Sequence, residues 1–252
     1  MHNKTKRLSV FERIILFFAV FIFCNSAHAE DMQFFYGNKK IDTRNWYVSN
    51  GWSNGDYQSC EWREDALSAN DKNLRITISD ESGKIRPIAC GEIRTKQLYS
   101  YGKYEARIKA AKGIGVNTAF FTYAGYPSKT VHDEIDFEFL GKEPTKVQVN
   151  YWVDGKQNPK ILDLGFDSSA DFHDYSFVWS PSKIKWFIDG KLVHETKDGD
   201  DMPSHPQNLF FSLWTSSKVM KDWMGEFTYE APIDAQFSAV KYTPYNEYIT
   251  KK

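Results

Sequence analysis

The chain has 252 residues, with 32 Lys+Arg against 33 Asp+Glu and a formal net charge of −1. That balance argues against nucleic acid or an anionic membrane surface as a partner. Aromatic residues make up 16% of the chain, with eight Trp. They can fill a core or form platforms under sugar rings, and composition does not divide them between the two uses.

The first residues are basic (Lys4, Lys6, Arg7, Arg13). An apolar run follows over 14–24, and Ala27-His28-Ala29 closes it with a small-x-small site. This order reads as a secretory signal peptide over 1–29, cut after Ala29; the run is too short to cross a bilayer. The expectation is a secreted protein, periplasmic or extracellular, free of the membrane after cleavage. Residues 30–252 form one domain of about 220 residues. Cys24 leaves with the leader, so Cys60 and Cys90 remain as an even pair in an oxidising compartment. They form either a disulfide, contributing about 3–4 kcal/mol by chain entropy, or two buried thiols.

The mature chain reads as strands with almost no helix. Leu74, Ile76 and Ile78 alternate with Arg75 and Thr77, and Tyr104, Ala106 and Ile108 alternate with Glu105, Arg107 and Lys109. A mostly apolar run over 118–123 leads to Gly125. Beyond residue 141, alternation returns over 146–153 and ends at Asp154-Gly155, and a strand over 172–179 is stopped by Pro181. The segments 184–188 and 191–195, separated by Asp189-Gly190, predict a hairpin with a two-residue turn. Strands over 209–214 and 237–242 close the series. Residues 198–201 are expected to be a solvated acidic loop, and the tail after Tyr245 is expected to be loose. Many short strands at this spacing indicate an all-β sandwich or barrel.

The stretch from Val131 to Gly141 carries the chemistry. Glu134, Asp136 and Glu138 alternate with Ile135, Phe137 and Phe139. Period two means a strand with one triply acidic face and one apolar face. Three stacked like charges cost stability. Glycoside hydrolysis gives such an arrangement a use, because it needs one ionised and one protonated carboxyl beside the scissile bond. No G-x-S-x-G, H-E-x-x-H, P-loop or C-x-x-C is present, and His173, His194 and His205 lack ligand spacing. No metal or cofactor is expected.

E-I-D-F-E at 134–138 resembles the E-I-D-x-E signature of glycoside hydrolase family 16. The likeness runs from about residue 34 to 242 and is strongest to the bacterial branch of 1,3-1,4-β-glucanases (lichenases) and exopolysaccharide depolymerases. The resemblance implies a jelly-roll, concanavalin A-like β-sandwich of two antiparallel sheets, with an open cleft on the concave one. It implies Glu134 as nucleophile, Glu138 as acid/base and Asp136 as modulator of Glu134, roles that the symmetric spacing alone does not assign. Retention would require the two carboxyls about 5–5.5 Å apart, so the side chains must lean together or the strand must bend. Relatives carry a disulfide at the places of Cys60 and Cys90.

The resemblance also implies substrate contacts from Trp52, Asn54, Glu92, Arg94, Phe121, Tyr123, His132, Gln148, Asn150, Trp152, Trp214 and Trp223. Gln148, Asn150 and Trp152 share one strand face, an odd set for a core but apt for sugar hydroxyls and a ring face. Some positions depart from the pattern. Trp52 stands where relatives often have Tyr. His132 stands where mixed-linkage glucanases have Trp, as in the exopolysaccharide-processing relatives. Ser238 replaces a calcium-binding Asp, and hard cations want carboxylate oxygen. The expected function is a monomeric, secreted, retaining endo-β-glycanase acting on a 1,3-1,4-linked β-glucan or a succinoglycan-like exopolysaccharide. A transglycosylase and a lectin-like binding protein are the alternatives.

Overall fold

The structure, a computed structural model, describes residues 29–36, 40–70, 73–81, 83–125 and 131–250. Apart from Ala29, the expected leader lies outside them, Cys24 included.

In chain order the strands are β1 (Glu30–Met32), β2 (Phe35–Tyr36), β3 (Lys40–Ile41), β4 (Trp46–Val48), β5 (Cys60–Trp62), β6 (Leu67–Asn70), β7 (Asn73–Ile78), β8 (Ile88–Thr95), β9 (Gly102–Lys109) and β10 (Val116–Ala124). They continue as β11 (Asp133–Leu140), β12 (Lys146–Val153), β13 (Lys156–Gln157), β14 (Lys160–Asp163), β15 (His173–Trp179), β16 (Ile184–Ile188), β17 (Lys191–Glu195), β18 (Asn208–Thr215) and β19 (Ile233–Pro244). Two sheets form a sandwich. The back sheet runs β17-β16-β15-β9-β19-β7-β6, with β1 on β19. The cleft sheet runs β13-β12-β11-β10-β18-β8-β4, with β14 on β12 and β5 on β8. Pairing is antiparallel except for the parallel β5–β8 pair.

The core lies between the sheets and follows the predicted alternation. Leu74, Ile76 and Ile78 of β7 face inward, as do Ile135, Phe137 and Phe139 of β11. Three rings from adjacent strands stack in one row: Phe120 lies parallel to Phe137 at 6.1 Å and to Phe211 at 5.3 Å. Burying each such ring stabilises the fold by about 1.5–3 kcal/mol. The row also fixes the register of β10, β11 and β18, the strands beneath the cleft. From the back sheet, the Trp186 indole donates to the Asp136 carbonyl at 3.2 Å, tying the middle of β11 to the other layer.

The two-residue turns are as the sequence indicates. Asp189 and Gly190 take φ of 47° and 75°, and Asp154 and Gly155 take 48° and 79°. These are the left-handed conformations of a type I′ hairpin turn, which Asp-Gly suits. Cys60 and Cys90 are joined in a disulfide that closes a 30-residue separation. The Gln58 amide donates to both sulfurs, at 3.3 and 2.9 Å.

Two expectations are corrected. The tail is not loose over its whole length: Tyr245–Thr250 forms a short helix, α1, opened by a hydrogen bond from Tyr245 N–H to the Tyr101 carbonyl at 3.1 Å. Its six residues are too few to show a helical period. Residues 198–201 are more than a solvated loop. Asp198 pairs with Lys183 at 2.7 Å, and the Asp200 carboxylate accepts from the Lys197 N–H at 2.8 Å and the Tyr151 hydroxyl at 3.3 Å.

Candidate active site

Alternate residues of the cleft sheet point away from the core and line one cavity of about 1130 Å³. Register brings them into rows across the strands. In one row Trp152, Glu134, Tyr123 and Asn208 lie side by side; in the next stand Asn150, Asp136, Phe121, Phe210 and Arg94; in the third, Gln148, Glu138, Ala119, Ser212 and Glu92. The cavity therefore crosses the strands. Every residue expected at the site lines it: the three acidic residues, Trp52, Asn54, Glu92, Arg94, Phe121, Tyr123, His132, Gln148, Asn150, Trp152, Trp214 and Trp223.

The three acidic residues differ in surroundings. Glu134 is partly exposed, and its Oε2 lies 2.7 Å from His132 Nε2. Asp136 is buried, and its Oδ2 has no donor among the described residues. Burial, and then the charges of Glu134 and Glu138, push its carboxyl well above the usual carboxylate range. Glu138 accepts from the Asn117 amide at 3.2 Å and the Gln148 amide at 2.6 Å. Burial and the charge of Glu134 outweigh those donors and raise Glu138 to about 8. Along this face, Asp136 and Glu138 are thus both displaced toward the protonated form.

The polar set on β12 organises Glu138. Trp223 Nε1 donates to Gln148 Oε1 at 3.1 Å, which orients the amide so that its NH2 faces Glu138. Trp214 and Trp223 stand 6.2 Å apart as a wall. Across the cleft, Glu92 is buried and accepts from the Ser49 hydroxyl at 2.6 Å. Burial raises it to about 7 despite that bond and the nearby Arg94 charge. The Arg94 guanidinium stacks over the Tyr47 ring at 4.6 Å. Asn54 occupies the N-cap position of the 3-10 turn Gly55–Tyr57 but makes no side-chain cap bond, which leaves its amide available to the cavity. Phe121 stacks on Phe210 at 4.8 Å.

Sequence reasoning missed Asn117, Ser49, Tyr47, Tyr57 and Phe210. Asn117 had a signal: a fully buried amide in an otherwise apolar strand needs a partner. Ser49 and Tyr47 had none, because they meet Glu92 and Arg94 only through the pairing of β4 with β8. Among the described residues no cluster of His, Cys, Asp and Glu is arranged to hold a metal ion. Ser238 lies at an irregularity where β19 shifts register against β9.

The family model for Glycosyl hydrolases family 16 matches residues 54–232. The chain is 45% identical over 204 residues to Endo-1,3-1,4-beta-glycanase ExoK of Rhizobium meliloti (strain 1021), covering 81% of this chain and 76% of that protein. It is 38% identical over 232 residues to a Beta-glucanase of Paenibacillus polymyxa, covering 91% and 93%. Among solved structures, a prokaryotic beta-1,3-1,4-glucanase (lichenase) derived from a mouse hindgut metagenome superposes with a TM-score of 0.80 at 36% identity, over 86% of this chain and 100% of that one.

Proposed function

The chain belongs to glycosyl hydrolases family 16, and from that premise we propose that it is a secreted endo-β-glycanase that cleaves internal β-glucosidic bonds by double displacement with retention. Its substrate is a 1,3-1,4-linked β-glucan or a bacterial exopolysaccharide of succinoglycan type, met by a monomer. The observation that carries this reading is the row of three carboxyl side chains along β11 lining a cavity of about 1130 Å³ together with the amides and aromatic rings of the neighbouring strands, Glu138 being lifted to about 8 by burial and by the charge of Glu134.

The steps follow from that arrangement. The Glu134 carboxylate attacks the anomeric carbon as the glycosidic bond breaks, and Glu138 gives its proton to the departing oxygen. Once Glu134 is esterified its negative charge is gone, and the main charge-based cause of the raised Glu138 value goes with it. Glu138 is then a carboxylate suited to take a proton from water, which attacks the glycosyl-enzyme and restores Glu134. Protonated Asp136 steadies the Glu134 charge between turnovers. Gln148, Asn150 and Trp152 of β12, with Trp223 bonded to Gln148, bind sugars on one side of β11; Trp52, Asn54, Glu92, Arg94, Phe121, Tyr123 and Trp214 bind them on the other.

Azide rescue tests the roles. Glu134→Ala with azide should yield a glycosyl azide of inverted anomeric configuration, and Glu138→Ala the retained one; exchanged products would reverse the assignment. The polymer is identified by incubating the protein with barley glucan and, separately, with an acidic exopolysaccharide, and measuring the reducing ends released. Product chain length in the same samples separates hydrolysis from transfer to a second sugar.

A further inference from the structure

His132 stands one residue before β11 and two before Glu134, and the two side chains meet on the same side of the chain. Its backbone is held in place. The His132 carbonyl accepts from the Gly155 N–H at 2.9 Å. The next residue, buried Asp133, accepts from Asp154 N–H at 3.1 Å, Ser204 N–H at 3.0 Å and His205 Nδ1 at 2.9 Å. The imidazole is committed as well. It stacks on Trp152 with centroids 4.4 Å apart and planes 16° apart, and the Tyr123 ring meets it at 78°. Its Nε2 lies 2.7 Å from Glu134 Oε2. A carboxylate only accepts hydrogen bonds, so the proton in this contact is on Nε2. One ring face is covered by an indole and one nitrogen is occupied by the acid, which leaves little of the ring to serve as a platform for a sugar.

We propose that His132 is a positioning residue for Glu134 rather than a substrate contact: its N–H fixes the rotation of the carboxylate so that Oε1 faces the anomeric carbon. In the first half-reaction Oε1 forms the bond to that carbon, the glycosidic carbon–oxygen bond breaks, and its electron pair leaves with the oxygen protonated by Glu138. Trp152 keeps the imidazole in the plane from which this bond is made. The inference rests on the proposed double displacement, because it gives His132 its role through the nucleophile.

Two variants separate positioning from sugar contact. His132→Phe keeps a ring against Trp152 and loses the donor. His132→Gln keeps an N–H donor and loses the ring. Steady-state kinetics on barley β-glucan should show kcat of His132→Phe reduced about 10- to 100-fold, the cost of a misplaced reacting group, with KM little changed. His132→Gln should keep kcat within roughly threefold of the parent, with KM unchanged. The opposite order, with His132→Phe at full kcat and His132→Gln raised in KM, would overturn the proposal. Thermal unfolding of both variants checks the fold. If His132→Phe is unfolded, His132→Gln decides alone: near-parental kcat and KM support the positioning role, and a raised KM overturns it. A parent enzyme inactive on every β-glucan sinks the reading of the site itself, and does so before any variant is made.

Discussion

The two sheets handle charge in opposite ways. On the back sheet, carboxylates meet cations from the neighbouring strand: Arg107 with Asp174 at 3.2 Å, Lys185 with Glu195 at 3.2 Å, Arg75 with Asp234 at 3.7 Å. These groups sit in water, and each pair contributes little. On the cleft sheet, Glu92 and Asp136 are buried and Glu138 is half-buried, none of the three pairs with a cation among the described residues, and all are displaced toward the protonated form. The same residue types therefore give solubility on one side and a proton reservoir on the other. What separates them is access to water and to an opposite charge. A functional carboxylate here is recognised by what the fold withholds from it.

The contrast is sharpened most by removing the proton that the cleft stores. Glu138→Gln keeps the shape and the hydrogen-bonding reach toward Asn117 but carries no transferable proton. Its kcat/KM on β-glucan should fall about 10²- to 10⁴-fold. For the parent enzyme, the basic limb of the kcat/KM profile should lie near the Glu138 value of about 8, and Glu138→Gln should lack that limb. A full-activity Glu138→Gln would mean that the raised carboxyls of this sheet are incidental.

Next in size comes a comparison within β11 itself. Asp133 and Asp136 stand three residues apart on opposite faces, and both are buried. Asp133 is fully provided for: burial pushes its carboxyl up, but His205 and the backbone N–H groups of Ser204, Asp154 and His205 outweigh it, so it lies below the usual carboxylate value. Asp133→Ala should strand those donors and cost about 3 kcal/mol of stability, read by denaturant unfolding at pH 7. Asp136→Asn should cost nothing comparable, because burial and the neighbouring charges already displace the carboxyl it replaces toward the uncharged form.

How much of this was legible in the sequence follows the range of the interactions. The acidic face of β11 shows in five residues because alternation is a local property of a strand. The Asp189-Gly190 turn shows for the same reason. The cleft aromatics and amides, from Trp52 and Asn54 to Trp214 and Trp223, were found because the resemblance supplied their pairing. Without it, Gln148, Asn150 and Trp152 alone would have stood out. The support around the acids was not legible. Asp133 reads as one more acidic residue until the segment at 204–205, some 70 residues later, closes on it. The Ser49–Glu92 bond spans 43 residues. Neither contact exists until strand order and register are set.

The cleft carboxylates also predict the pH dependence of stability. Glu92 and Glu138 ionise in the unfolded chain near the ordinary glutamate value of 4.5, and in the folded protein only near 7 and 8. Between those values the folded state binds more protons than the unfolded one, so stability falls as pH rises from about 4.5 to about 8 and levels off above. The loss should be about 1–3 kcal/mol, discounted because the two groups share their charge with Glu134. Denaturant midpoints at pH 5 and pH 8 measure it, and Glu92→Gln should flatten the slope. A stability that rises across this window would place the dominant titrating groups on the paired, back-sheet side of the contrast.

The smallest expected effect is the one that tests the other half of the comparison. Arg107 and Asp174 lie on neighbouring strands β9 and β15, with side chains 45% and 61% exposed. Water already solvates both groups, so their attraction is screened, and holding two long side chains together has an entropic cost. The coupling energy from the cycle Arg107→Ala, Asp174→Ala and the double variant should be at most about 0.5 kcal/mol and should shrink in 1 M salt. Activity should be unchanged, because neither residue reaches the cleft. A coupling above about 2 kcal/mol, the size expected for a desolvated pair, would show that the back sheet also holds its charges away from water. The distinction between the sheets would then be one of pairing alone.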